Sequence, residues 1–291
     1  MRNRIATLAI LFSLVTIPAF AQRVGVAGAS DSDAYRANDN RCRGTYAATS
    51  LNWVEILVRT RAVDFGPWGS FSEPRRIDYA QNWARSGAVS ADANSKGQAA
   101  GVASQSPDVA ILFIGANDID PRLKQRAREI YYGTITASAL AAWQTGIVNA
   151  HLLAMQTMMS SGAQGWMATM PSQPRPSAGY QDPVGLARIA AAVAAINVRL
   201  VQGAVTYGYG LIDLDGFSTW LVARGTMQID GTLIVAGRTI TRTGSCEPHS
   251  LLFPDGHPGT VAHGLLATYF AEITGIAAPL SDEEIVAAAG L

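Results

Sequence analysis

The chain is predicted to fold as an α/β protein, a parallel sheet with helices on both faces, and three observations predict it. Apolar runs of strand length alternate along the chain with longer segments of helical periodicity. The clearest run, Val109–Ile114, is apolar at every position, as a strand covered on both faces should be. The 291 residues are 48% apolar and 15% charged, which suits one large core better than two small domains or a disordered chain.

The elements follow in order. Arg2 and Arg4, the apolar run Ile5–Phe20 and the Ala19-Phe20-Ala21 ending read as a signal peptide, residues 1–21, cut after Ala21, with one domain at 22–291. The run is short for a spanning helix, and no other long apolar stretch is seen after it. The expectation is a secreted or periplasmic protein without stable membrane insertion. Removing Arg2 and Arg4 turns the balance of 22 basic and 22 acidic residues into a net charge of −2. With no basic stripe, nucleic acid is not expected as a partner.

Val24–Ala27 reads as the first strand, ending in Gly28-Ala29-Ser30-Asp31-Ser32-Asp33. Small residues let the chain turn sharply there, with Ser30 at the carboxyl end of a strand, where open α/β sheets bind ligands. Asp39–Thr49 reads as a surface loop and Leu51–Val58 as a helix. Asp64–Arg76 reads as a loop whose Phe65, Trp68 and Phe71 either line a cleft or tuck inward. Ile77–Ala84 reads as a second strand entering the turn at Gly87, and Ala91–Ser106 as a helix. After the strand at Val109–Ile114 come Gly115-Ala116-Asn117-Asp118, a helix at Ser138–Met159, a strand at Trp166–Met170 stopped by prolines, a helix at Leu186–Gln202 and a strand at Tyr209–Leu214. Met227–Thr241 alternates at period two about Asp230-Gly231 and Ala236-Gly237, and reads as a small β-hairpin or three-strand insertion that either overhangs the site or covers a sheet edge. A helix at Thr260–Thr274 and a polar tail from Ser281 complete the chain.

Cys42 and Cys246 are the two cysteines, and export permits them to pair. Closing so long a loop is worth at most about 5 kcal/mol in the chain-entropy model. The alternative is two separate buried thiols.

The chemistry points to a serine nucleophile. A hydroxyl attacks poorly until an imidazole takes its proton, and His257, in a turn-rich stretch ahead of a helix, can serve as that base. Asp255 can fix its tautomer. Ser30 N–H, Gly87 N–H and the Asn117 amide can act as oxyanion donors. His249, Asp255, His257 and His263 include residue types that bind zinc, but their spacing fits no zinc motif, so no metal or other cofactor is expected.

Ser30 after the first strand, Asn82-Trp83-Ala84-Arg85-Ser86-Gly87 after the second, Gly115-Ala116-Asn117-Asp118 after the third and Asp255-Gly256-His257-Pro258 before the last helix together resemble the SGNH/GDSL hydrolases over nearly all of the mature chain. That resemblance implies a flavodoxin-like three-layer α/β/α fold. It further implies Ser30 as nucleophile, His257 as base, Gly87 and Asn117 in the oxyanion hole, and small-molecule, lipid or glycan esters as substrates without a metal. There are two departures. The family's Gly-Asp-Ser-x-Ser is Gly28-Ala29-Ser30-Asp31-Ser32 in this chain, which leaves Ser32 as the competing nucleophile, with Ser30 preferred. Its Asp-x-x-His becomes Asp255-x-His257, so a backbone carbonyl, or less readily Asp213 or Asp215, competes for the acid's role. A catalytically weak carbohydrate-binding or cell-envelope scaffold retaining the fold is the alternative function. The sequence does not fix the oligomeric state.

Overall fold

A four-stranded parallel sheet runs through the centre of the protein, seen in a computed structural model that describes residues 22–35, 42, 46, 48–175, 177, 179–228 and 230–291. The predicted signal peptide, most of the Asp39–Thr49 loop, Pro176 and Ile229 lie outside the described residues. In chain order, β1 (Val24–Gly28) leads to α1 (Trp53–Arg61), then to β2 (Trp68–Ser70) and β3 (Ile77–Tyr79). Next come α2 (Asp92–Ser95), α3 (Gln98–Ser104), β4 (Val109–Phe113), α4 (Gln125–Tyr132), α5 (Ala137–Met159), β5 (Gln164–Ala168), α6 (Pro183–Tyr207) and β6 (Gly210–Ile212). The last third holds α7 (Phe217–Ala223), β7 (Leu233–Val235), β8 (Arg238–Gly244), β9 (Ser250–Leu252), α8 (Thr260–Thr274) and α9 (Asp282–Ala288).

The sheet order is β1-β4-β5-β6. Because side chains alternate along a strand, its two faces feed two separate apolar layers. Val24, Val26, Ile111 and Phe113 pack with Trp53 of α1 and Phe270 of α8. Ala27, Ala110, Leu112 and Met167 pack on the other side with Val102 of α3, Met155 of α5 and Ile196 of α6. This is the three-layer α/β/α arrangement, and β7 to β9 form a separate three-stranded sheet.

Several elements differ from the sequence reading, each for a local reason. The predicted second strand, Ile77–Ala84, splits in two. Ile77–Tyr79 pairs antiparallel with β2, a strand inside the predicted loop at 64–76. Residues 81–85 then run along the edge of β1, through Val26 N–H to Gln81 O (3.0 Å), Trp83 N–H to Val26 O (2.8 Å) and Arg85 N–H to Gly28 O (3.1 Å). The turn Asn82 N–H to Tyr79 O separates the two halves, and the second half meets the sheet in parallel at the Val26–Asn82 bridge. The helix expected over 91–106 breaks into α2 and α3 at Gly97, whose φ of +74° is open to glycine and strained for other residues. The 227–241 hairpin forms between β7 and β8 about Ala236-Gly237, and β9 joins it. Leu233, Val235 and Ile240 are buried in the α1/α8 layer, so this insertion covers core. The tail from Ser281 is a helix: Ser281 and Glu284 form a capping box that satisfies orphan N–H groups at the start of α9. Short α4 and α7 were not predicted. α6 corrects the expectation of no second long apolar stretch, being long and apolar enough to cross a membrane by length and composition. Its Ile189, Val193, Ile196 and Leu200 are buried in the α3/α5/α6 layer.

Candidate active site

Ser30 sits in a turn that the rest of the molecule grips from three sides. β1 ends at Gly28, where an added Cβ would lie 2.6 Å from the Phe113 carbonyl oxygen, so the residue must be glycine for β1 and β4 to stay paired. The chain then turns, with Ser32 and Asp33 N–H both donating to Ala29 O. The N-terminus of α1 holds the far side. Trp53 Nε1–H donates to Ser32 Oγ (3.0 Å), Asn52 Nδ2 to Asp33 O (3.0 Å) and Tyr35 N–H to Glu55 Oε2 (3.0 Å). Segment 76–86 holds the third side. Asn82 Nδ2 donates to Ser32 O (2.6 Å), Ala34 N–H to Asp78 Oδ2 (3.1 Å) and Ser86 N–H to Asp33 Oδ2 (2.7 Å). Arg76 pairs with the same Asp33 oxygen at 2.8 Å. Ser32 is thus a buried acceptor inside the scaffold.

His257 reaches Ser30 from the opposite end of the sequence. Its Nε2 lies 2.7 Å from Ser30 Oγ. Asp255 Oδ2 lies 2.9 Å from Nδ1, and Oδ1 of the same carboxylate accepts the His257 N–H at 3.1 Å. That second bond is an Asx turn, which bends the chain back over two residues. It explains how a carboxylate two positions before the histidine still meets the imidazole. The loop closes on itself through Phe253 N–H to His257 O (2.7 Å) and Gly256 N–H to Phe253 O (2.9 Å). Cys42 and Cys246 form a disulfide, packed with Tyr35 and Phe253. Tyr35 OH lies 2.6 Å from His263 Nε2 and donates to Pro258 O at 3.4 Å. The segment after Ser30 is therefore tied directly to the segment carrying His257.

Asn117 follows β4 at the same sheet end. Its Nδ2 donates to Ala88 O (2.8 Å), placing it one residue from Gly87. Gly87 is exposed at a turn. Among the described residues neither its N–H nor that of Ser30 donates a hydrogen bond. The unpredicted member is Arg175. Its Nη2 donates to Ser30 Oγ (2.9 Å) and to Asp31 Oδ2 (3.0 Å), and its Nη1 to Asn117 Oδ1 (3.2 Å). The other acids considered are engaged elsewhere: Asp213 accepts from Asp215 N–H and Asp215 from Asn197 Nδ2. His249 pairs with Glu247. Among the described residues, no three His, Cys, Asp or Glu side chains converge as a metal site would require.

The electrostatics follow from burial. Burial works against the charge of Asp31, but Arg175, His257 and His263 outweigh it and hold the carboxyl below its ordinary value. Burial pushes Asp78 well up despite N–H bonds from Ala34 and Tyr79. It pushes Asp118, which accepts from Ser90 N–H and Oγ–H, up to about 6. Beside Asp31 and Arg175 opens a cavity of about 490 Å³ walled by Phe113, Leu214, Phe217, Leu252 and Leu266. The aromatic loop contributes nothing to this wall: Phe65 is buried in the core, Trp68 packs edge-on to Tyr79 and Phe71 lies under Arg75.

No family model and no curated protein matches the sequence. Solved structures do match. An acetyl xylan esterase, AlAXEase, superposes with a TM-score of 0.50 at 13% identity, over 86% of this chain and 98% of that one. An extracellular lipase from Streptomyces rimosus superposes with a TM-score of 0.50 at 18% identity, over 88% of this chain and all (100%) of that one. The chain shares its fold with these two hydrolases. In this frame Ser30 and Asn117 follow neighbouring parallel strands, and His257 enters from the loop before α8.

Sequence reasoning missed Arg175 and Tyr35. A usable signal existed for Arg175: a cation among prolines just after a buried strand lies where parallel sheets bind ligands. Tyr35 carried none, because the partners of its hydroxyl are more than two hundred residues away.

Proposed function

We propose that the protein is an exported serine esterase or acylhydrolase acting on carboxylic esters. Ser30 Oγ attacks the acyl carbon while its proton passes to His257 Nε2, and the carbonyl π pair moves onto oxygen. Ser30 N–H, Gly87 N–H and the second N–H of Asn117 Nδ2 receive the oxyanion. Collapse expels the alcohol, which takes the proton from His257; water then repeats the sequence on the acyl-enzyme and releases the acid. Asp255 keeps Nδ1 protonated so that Nε2 is the free base. The acyl chain lies in the apolar cavity walled by Phe113, Phe217 and Leu266, with Arg175 at its polar end.

The observation that carries this reading is the approach of His257 Nε2 to Ser30 Oγ at 2.7 Å, with Asp255 on the other ring nitrogen. The names of the fold neighbours, a xylan esterase and a lipase, agree with it. Export is supported by the leader-like N-terminus and by a disulfide. The test is covalent labelling with a fluorophosphonate together with hydrolysis of p-nitrophenyl esters from acetate to octanoate. The wild-type protein should label at Ser30 and turn over at least one ester, and Ser30→Ala should do neither. A folded wild-type protein that leaves Ser30 unlabelled would be a binding scaffold.

A further inference from the structure

Arg175 lies against the hydroxyl of Ser30. Its side chain is 10% exposed, as is that of its ion-pair partner Asp31. The same Nη2 that pairs with Asp31 donates to Ser30 Oγ at 2.9 Å. The guanidinium is fixed on its other side as well. Arg175 has only donors to offer, so Asn117 must turn Oδ1 toward it, and the Ala88 carbonyl on the far side takes Asn117 Nδ2. Pro171 and Pro174 stiffen the loop that carries it.

We infer that Arg175 is a catalytic residue of the esterase reaction proposed above, on which this inference rests: it is a charged oxyanion donor added to the Ser, Gly and Asn set. In the resting site Nη2–H points at Ser30 Oγ. When the Oγ–carbon bond forms and the Oγ proton goes to His257, the negative charge develops on the carbonyl oxygen. That oxygen is bonded to the same carbon, so Nη2 follows it with a small movement and without leaving Asp31. A charge-assisted bond of this kind is roughly twice as strong as a neutral one. A removable plug fits the geometry less well. Withdrawing Arg175 would leave the buried Asp31, whose Oδ1 already has no hydrogen-bond partner, without its counter-ion.

The experiment compares Arg175→Lys, Arg175→Ala and wild type on p-nitrophenyl acetate and butyrate. It also measures the rate of Ser30 phosphonylation and thermal stability. The expected result is a fall in kcat of about 10²-fold in Arg175→Ala, with KM changed by about threefold or less, and a parallel slowing of phosphonylation. Partial recovery of the Arg175→Ala rate by added guanidinium chloride at low millimolar concentration is also expected, which a purely structural role would not give. Arg175→Lys keeps the charge and the Asp31 pair and should retain more activity than Arg175→Ala. It also keeps the test alive if the alanine variant does not fold. Unchanged or raised kcat in a folded variant overturns the inference and makes Arg175 a guard; a rise in KM alone makes it a binding residue and overturns it equally. Failure of the underlying esterase reading looks different, because wild type itself would then neither label at Ser30 nor hydrolyse esters.

Discussion

The two ends of the Ser30–His257 pair are held in opposite ways. The serine end is all core: residues 28–35 are buried, and the turn draws on Asn52, Trp53, Glu55, Asp78, Asn82 and Ser86 from two neighbouring segments. The histidine end is a surface loop closed mainly by its own turn, and its Asp255 side chain is 45% exposed. What fixes that loop from outside is covalent and local: the Cys42–Cys246 bridge and the Tyr35 contacts with Pro258, His263 and Phe253. The fold thus holds Ser30 through packing and His257 through a clasp. Damage to the packing around Ser30 should be read first in stability, and damage to His257 and Asp255 first in rate.

The largest effect separates two serines two residues apart. His257→Ala should lower kcat by about 10⁴-fold or more, as loss of a general base does where the nucleophile depends on it, with little change in thermal midpoint. Ser32→Ala should leave kcat within about threefold but strand the buried Trp53 N–H, at a cost of about 1–3 kcal/mol in urea unfolding. If Ser32→Ala instead abolished turnover while Ser30→Ala did not, the nucleophile would be Ser32.

Opening the clasp comes next. Cys42→Ser with Cys246→Ser frees a loop of sequence separation 204, worth up to about 5 kcal/mol by chain entropy. Urea unfolding should show most of that loss. Activity well below the midpoint should also fall, since Tyr35 and Phe253 lose the bridge packed beside them; unchanged kcat would mean that the Tyr35 contacts suffice.

A pH experiment sharpens the same contrast. Asp118 titrates at about 6 in the folded protein, against an ordinary 3.8, so between these values the folded state binds more protons than the unfolded one. Stability should therefore fall as pH rises from about 4 to 6, by roughly 3 kcal/mol at most. Buried Asp78, shifted the same way, adds to this trend, while Asp31, held low, stabilises above pH 4 and loses its contribution as pH falls. Asp118→Asn keeps an acceptor for Ser90 and should flatten the slope of thermal midpoint across pH 4–6. An unaltered slope would assign it to other groups.

The same contrast marks what the sequence made legible. Buried strands announce themselves by unbroken apolar runs, so β1 and β4 and the polar turns after them could be found, and with them Ser30 and Asn117. Ile77–Ala84 reads as one strand, yet it holds two short segments that pair differently. The turn that divides them depends on Asn82, whose side chain bonds Ser32 O, a partner fifty residues away that no local pattern reports. A motif points to Gly87, whereas a lone arginine in a loop, such as Arg175, carries no periodicity. The Asx turn at Asp255 looked like a defect in spacing because carboxylate direction depends on backbone geometry that residue counting does not contain.

The smallest expected effect concerns that turn. Asp255→Asn keeps Oδ1 as acceptor for His257 N–H, so the loop and the thermal midpoint should be preserved. It exchanges Oδ2 for an amide that cannot accept from Nδ1–H, which favours the tautomer whose Nε2 carries the proton and cannot take one from Ser30. In a fully buried triad such a change costs about 10⁴-fold. Where the carboxylate is 45% exposed, water can take its place at Nδ1 part of the time, so kcat should fall by only about 10- to 100-fold. A loss near 10⁴ would show that the surface loop orients its base as rigidly as a core would. No loss would hand the orienting role to a backbone carbonyl. Either result, set beside Ser32→Ala, measures how far rate and stability are divided between the two ends of the site.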